Sequence, residues 1–130
     1  MKLLDTCIWI EALAGSAAGL RYQPLLANPQ DLVVSTMVIF ELRKWLLRTL
    51  AEPAADQIMV ILHSTSIVAP DESTALYAAE LCVTHKLHAL DALIYATALN
   101  ASAELVTCDA HFKGLPGVSY HPKVASKPKP

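Results

Sequence analysis

The sequence predicts an α/β chain, a three-layer α/β/α sandwich around a mostly parallel central sheet. Three observations carry that prediction. Short apolar runs at Leu3-Leu4, Leu32-Val33-Val34 and Ser66–Ala69 are each followed by a helical pattern over a short connection, the arrangement that gives parallel strands with helices on both faces. Alanine and leucine occur 20 times each and aromatics supply only 6%, which favours helices over a sandwich built from β-branched and aromatic strands. At 130 residues and 54% hydrophobic composition, the chain buries roughly two-thirds of its extended surface in one core.

Each element follows from local signals. Lys2-Leu3-Leu4 reads as a buried strand that opens directly into Asp5, and Thr6–Ala14 as a short helix ending at Gly15. A second helix is expected over Ala17–Ala27, stopped near Asn28-Pro29. Leu32–Val34 fits a strand in a covered sheet, after which Ser35 or Thr36 caps a helix reaching about Leu50. Ala54–Leu62 is helical in pattern and Ser66–Ala69 suits a third strand. Pro70-Asp71 begins a helix whose apolar face is expected at Ala75, Ala79, Cys82 and Val83. A further helix spans about Asp91–Ala101, followed by a strand at Glu104–Thr107 and an edge-like strand at Gly117–Tyr120. The domain is expected to occupy residues 1–121, with a flexible Lys/Pro-rich tail at 122–130.

Composition excludes several roles. The longest uncharged run, Gln57–Pro70, has 14 residues, too few to span a bilayer. Asp5 and Glu11 interrupt any signal-peptide core, and Cys7, Cys82 and Cys108 form no CxxC pair, so a reducing cytoplasm is expected, without disulfides or a cysteine zinc site. Through Pro122, seven basic residues face all 12 acids, so no general polyanion-binding surface is expected. The glycines form neither a dinucleotide nor a P-loop motif, and no histidine spacing matches a zinc pattern. Cys108 precedes Asp109 and has His111 three residues on, yet no third group is placed to orient a thiol nucleophile.

Four acids stand out. Asp5 follows the first strand and Asp109 lies two residues past Glu104–Thr107, both at strand carboxyl ends, where open α/β sheets bind ligands. Each could also simply cap a turn. Glu41 has Met37, Val38 and Trp45 on its helical side, a costly setting unless it faces a wet cleft or pairs with Lys44 or Arg48. Asp91 has Leu87, Ile94 and Tyr95 around it and could equally be a helix N-terminal acid favoured by the dipole. Gathered in one cleft, the four would repel one another, and a hard divalent cation, Mg²⁺ or Mn²⁺, would relieve that repulsion. Such an ion can bind phosphate and activate a water, which points to metal-assisted phosphodiester hydrolysis.

These residues carry a family resemblance. Leu4-Asp5-Thr6, Ser35–Leu42, Leu90–Ala98 and Leu105–Phe112 resemble the four conserved blocks of PIN-domain proteins, and among them the VapC-type ribonuclease toxins of bacterial toxin–antitoxin pairs. The resemblance spans residues 2 to about 120, with all four acids in family order. It implies that Asp5, Glu41, Asp91 and Asp109 hold Mg²⁺ or Mn²⁺, with Asp109 the more variable ligand. It implies that Thr107 supports the Asp5 carboxylate or the attacking water, and that Thr6 shapes the same edge. It further implies an endoribonuclease, a homodimer, and a small antitoxin that blocks the cleft. Cys7 stands where many relatives carry asparagine or serine; a thiol is a poor ligand for a hard ion, so Cys7 is expected to face internal packing.

Other residues admit two readings. Arg43, Lys44, Arg48 and His111 could contact RNA or simply solvate the surface, and Lys123, Lys127 and Lys129 could extend RNA or antitoxin contacts or merely solubilise the tail. Trp9, Leu13 and Trp45 fit either core or a partner-facing patch. Two rival functions remain at this level. An aspartyl-nucleophile phosphatase would need a DxD pair, whereas Thr6-Cys7 follows Asp5. A non-catalytic RNA-binding module would have no use for four crowded acids.

Overall fold

The computed structural model describes residues 1–123. Five strands, β1 (Lys2–Leu4), β2 (Leu32–Ser35), β3 (Ser66–Val68), β4 (Glu104–Thr107) and β5 (Val118–Tyr120), form one sheet in the order β3-β2-β1-β4-β5. Every neighbouring pair is parallel; Leu3 of β1 stands beside Val33 on one side and Leu105 on the other. The three-layer α/β/α expectation is met. Seven α-helices supply the outer layers: α1 (Thr6–Ala14), α2 (Ala17–Leu20), α3 (Gln23–Leu26), α4 (Thr36–Thr49), α5 (Glu52–His63), α6 (Glu72–His85) and α7 (Ala89–Asn100). The central strands are apolar on both faces because both are covered: Leu3, Leu4, Val34 and Leu105 are fully buried, with Ile8, Trp9, Leu42, Leu46, Ile94 and Phe112 packed around them.

The strand order fixes where a site can form. From β1 the chain moves through β2 to β3 on one side, then crosses back to place β4 on the other side of β1 and β5 beyond it. Connections leaving β1 and β4 therefore run in opposite directions. Right-handed crossovers send them over opposite faces, which opens a crevice at the carboxyl ends of these two strands.

Local chemistry sets the helix ends, and several differ from the sequence reading. Gly15 ends α1 in the left-handed region, φ 68°, where a Cβ would be penalised. The single helix expected over 17–27 is two short ones, α2 and α3. Pro24 has no N–H to continue a helix from Gly19–Leu20 and instead starts a new one. For the same reason Pro53 lets α5 begin at Glu52 rather than at Ala54. Helix α7 starts at Ala89, so Asp91 falls within its first turn. Helix α6 corrects the expected face: Thr74, Ala78 and Leu81 are buried, while Ala75, Ala79 and Val83 are exposed. Asp71 caps α6 through the Thr74 N–H at 2.8 Å, and Asn100 of α7 donates to the Thr74 hydroxyl at 3.3 Å, so a polar ladder turns that face inward. Trp9 is fully buried, and Leu13 and Trp45, half-buried, pack against the core.

The expected tail lies outside the described residues from 124 onward, Lys127 and Lys129 with it. Among the described residues no helix is long and apolar enough to cross a membrane.

Candidate active site

The first acid is set by strand and helix together. The Asp5 N–H donates to the Val106 carbonyl at 2.9 Å, one step past the β1–β4 ladder. Its side chain caps α1, with Oδ1 accepting from the Thr6 N–H at 2.8 Å. Oδ2 accepts from the Thr107 hydroxyl at 2.7 Å, and that hydroxyl accepts from the Asp109 N–H at 3.0 Å. Thr107 thus ties the ends of β1 and β4 at the switch point, fully buried behind Asp5. Burial pushes the Asp5 carboxyl up to about 6; the bonds from Thr107 and Thr6 oppose the rise, and the charges of Asp91 and Glu41 add to it.

The other acids arrive from three further elements. Glu41 projects from the middle of α4, and its Oε1 accepts from the Thr6 hydroxyl at 2.8 Å. It forms no ion pair with Lys44 or Arg48 among the described residues. Asp91 sits in the first turn of α7 and its pKa is raised, chiefly by burial and then by Asp109 and Glu41, against the lowering influence of His111 and His88. Asp109 follows β4 and caps the 3₁₀ turn Ala110–Phe112, accepting at Oδ1 from the His111 N–H at 2.9 Å, with His111 Nδ1 standing 2.8 Å from the same oxygen.

Asp5, Glu41, Asp91 and Asp109 line one cleft of about 650 Å³. Thr6, Cys7, Ile10, Cys108, Tyr120 and Lys123 share its walls, and Lys123 is its one basic lining residue among those described. Four carboxylates facing a cleft with so little opposing charge make an all-oxygen donor set suited to a hard divalent cation. The carboxylates of Asp91 and Asp109 and an imidazole nitrogen of His111 lie within 4.8 Å of one another.

The basic residues are less well gathered. Arg43 pairs with Asp56 of α5 at 2.8 Å, the Lys44 ammonium stands 5.5 Å from the Phe40 ring centroid, and Arg48 is exposed. None of the three lines the cleft. Cys7 packs against the core as expected and is also part of the cleft wall, its thiol accepting from the Cys108 N–H at 3.2 Å and lying 3.7 Å from the Thr107 hydroxyl. The reason is local, since side chains in a first helical turn tilt back toward the preceding strand end. A hydrogen bond with the Cys108 side chain and burial push the Cys7 thiol up, keeping it neutral. Tyr120, Pro122 and Lys123 join the wall because β5 pairs with β4 beside the switch point. Only their place at the end of the last strand and just after it signalled this in the sequence.

Comparison with known proteins adds to this geometry. A family model described as the PIN domain matches residues 2–118. No curated protein matches. Among solved structures, the chain is similar to a toxin–antitoxin complex from Klebsiella pneumoniae, with 25% identity, a TM-score of 0.80, and coverage of 92% of this chain and 96% of that one. It is similar to FitAcB from Neisseria gonorrhoeae at 25% identity and TM-score 0.68, covering 85% and 89% of the two chains. It also shares the fold of VapC20 from Mycobacterium tuberculosis, a toxin that cleaves the sarcin–ricin loop, at 22% identity and TM-score 0.72, covering 89% and 95%.

Proposed function

The chain belongs to the PIN domain family, and from that premise we propose that it is a metal-dependent endoribonuclease, the toxin of a VapC-type toxin–antitoxin pair. The observation that carries the reading is the convergence of Asp5, Glu41, Asp91 and Asp109, each from a different element, on one cleft at the β1/β4 switch point. Toxin–antitoxin complexes among the similar structures support the partner class.

In this reading the four acids hold one or two Mg²⁺ or Mn²⁺ ions. A bound divalent cation would neutralise charge at the scissile phosphate and lower the pKa of an attacking water. The chain's own residues then prepare the site. Thr107 holds Asp5 Oδ2, and Thr6 holds Glu41 Oε1, so two of the carboxylates are oriented before substrate arrives, which limits reorganisation during reaction. Thr6, at the cleft wall, touches RNA in this reading, as does His111 beside Asp109. Arg43, Lys44 and Arg48 would act only at longer range, steering the backbone from the flank of α4. Cys7 and Cys108 supply no nucleophile: water attacks in line, and no covalent enzyme intermediate forms.

The partners in this reading are RNA, a cognate antitoxin and a second copy of the chain, in the cytoplasm. The exposed Leu76 and Val83 of α6 support an apolar contact with another chain. Attack by water leaves a 3′-hydroxyl and a 5′-phosphate. Analysis of cleavage products should find those ends, with cutting abolished by a chelator; a 2′,3′-cyclic phosphate would overturn the hydrolytic mechanism.

A further inference from the structure

The two ends of the cleft have different chemistry. Asp5 and Glu41 are surrounded by hydroxyl, thiol and backbone donors: Thr6, Thr107 and Cys7. At the other end Asp91 and Asp109 meet imidazoles. His111 touches Asp109 through both its backbone and its ring, and its ring stands edge-on to that of His88, with centroids 5.5 Å apart. We propose that His111 is a nitrogen ligand at the Asp91–Asp109 end of the cleft, and that this end selects a first-row transition ion over Mg²⁺. The inference rests on the cleft being a cation site; it adds which residue sets the preference among cations.

Three features of the geometry favour it. One nitrogen of His111 and one oxygen from each of Asp91 and Asp109 lie within 4.8 Å of one another, so a small side-chain rotation brings all three to one ion. The Nδ1–Oδ1 separation to Asp109 is 2.8 Å, close to the spacing of about 3 Å between adjacent octahedral ligands at metal–ligand distances near 2.1 Å. The turn is also held in place: Asp109 Oδ1 accepts the His111 N–H, and Phe112 of the same turn is fully buried against Tyr95. The imidazole therefore comes from an anchored turn, though the ring itself is exposed. Chemistry supplies the preference. Mg²⁺ takes oxygen ligands, while an imidazole among carboxylates raises affinity for transition ions relative to Mg²⁺. An ordinary surface histidine paired with Asp109 would give no such preference.

The test uses the full-length chain and Mn²⁺ as a paramagnetic probe. Electron spin-echo spectra of the Mn²⁺-loaded protein should show modulation from a directly bound ¹⁴N, altered by ¹⁵N-histidine labelling and lost in H111A and H111Q. By titration, Mn²⁺ affinity should fall about tenfold in both variants, while Mg²⁺ affinity, measured by calorimetry, stays level. Mn²⁺ bound without nitrogen modulation overturns the role of His111 and leaves the carboxylate site standing. Modulation that persists in H111A overturns it as well. A wild-type protein that binds neither Mn²⁺ nor Mg²⁺ overturns the cation site itself, and this inference with it.

Discussion

At Asp5, burial and charge are in conflict, and the conflict is measurable. In the unfolded chain its carboxyl titrates near 3.8; in the folded chain, without metal, near 6. Between those pH values the folded state binds more protons than the unfolded one, so metal-free stability falls as pH rises through that window. The Asp5 contribution to the fall is about 3 kcal/mol at most, at 1.36 kcal/mol per unit. Asp5→Asn removes the titration and keeps the shape. In a chelator, urea unfolding should show the variant gaining on the wild type from pH 4 to 7 and more stable than it at neutral pH. A stability difference that stays constant with pH would show that neither the burial of Asp5 nor its acidic neighbours raise its pKa. The acids at strand ends were legible in the sequence because a strand's end is easy to see and the sheet places such ends together. The Thr6–Glu41 and Asp109–His111 contacts were not, because they depend on how α1 approaches α4 and on one 3₁₀ turn. The packing of Cys7 against the core was legible too, but its share in the cleft wall was not, because the first turn of α1 sets its direction.

Element boundaries followed from caps and prolines where the competing signals were few. Ser35 and Asp71 cap α4 and α6 through Met37 and Thr74, as side-chain acceptors at those positions should. The 17–27 segment breaks into α2 and α3 because Pro24 has no N–H to continue a helix, which outweighs the run of apolar residues around it. The α6 face was misread because alanine, cysteine and valine suggested an inward side, while the polar contacts of Thr74 with Asp71 and Asn100 turned a different side to the core. Close packing between α1 and α2 gives a sharp prediction at this scale. A Cβ on Gly19 would stand 1.9 Å from the Glu11 carbonyl oxygen, and neither backbone can give way without moving a helix. Gly19→Ala should therefore destabilise the protein by about 1–3 kcal/mol in urea unfolding, although alanine is the better helix former. A neutral or stabilising effect would mean that α2 is free to shift away from α1.

For the whole molecule, the order β3-β2-β1-β4-β5 is the fact that makes the site. The alternation of strands and helices foretold a parallel sheet, and the site had to lie at carboxyl ends; which two strands form the switch point came only with the topology. The negative balance of the chain, with 12 acids against ten basic residues, agrees with the proposed reading, in which RNA would be met through a cation-loaded cleft rather than a basic surface. If the cleft is a cation site, Mn²⁺ should raise the melting temperature of the wild type, since a ligand at a hundred times its dissociation constant adds about 2.7 kcal/mol. Asp5→Asn and Asp91→Asn should lose most of that rise. The most direct test of the central claim is cleavage of total RNA by purified protein with and without Mg²⁺ or Mn²⁺, alongside Asp5→Asn and Asp91→Asn. Metal-dependent cutting by the wild type, abolished in both folded variants, is the expected result; undiminished cutting by either variant, or none by the folded, partner-free wild type at any metal concentration, would contradict it.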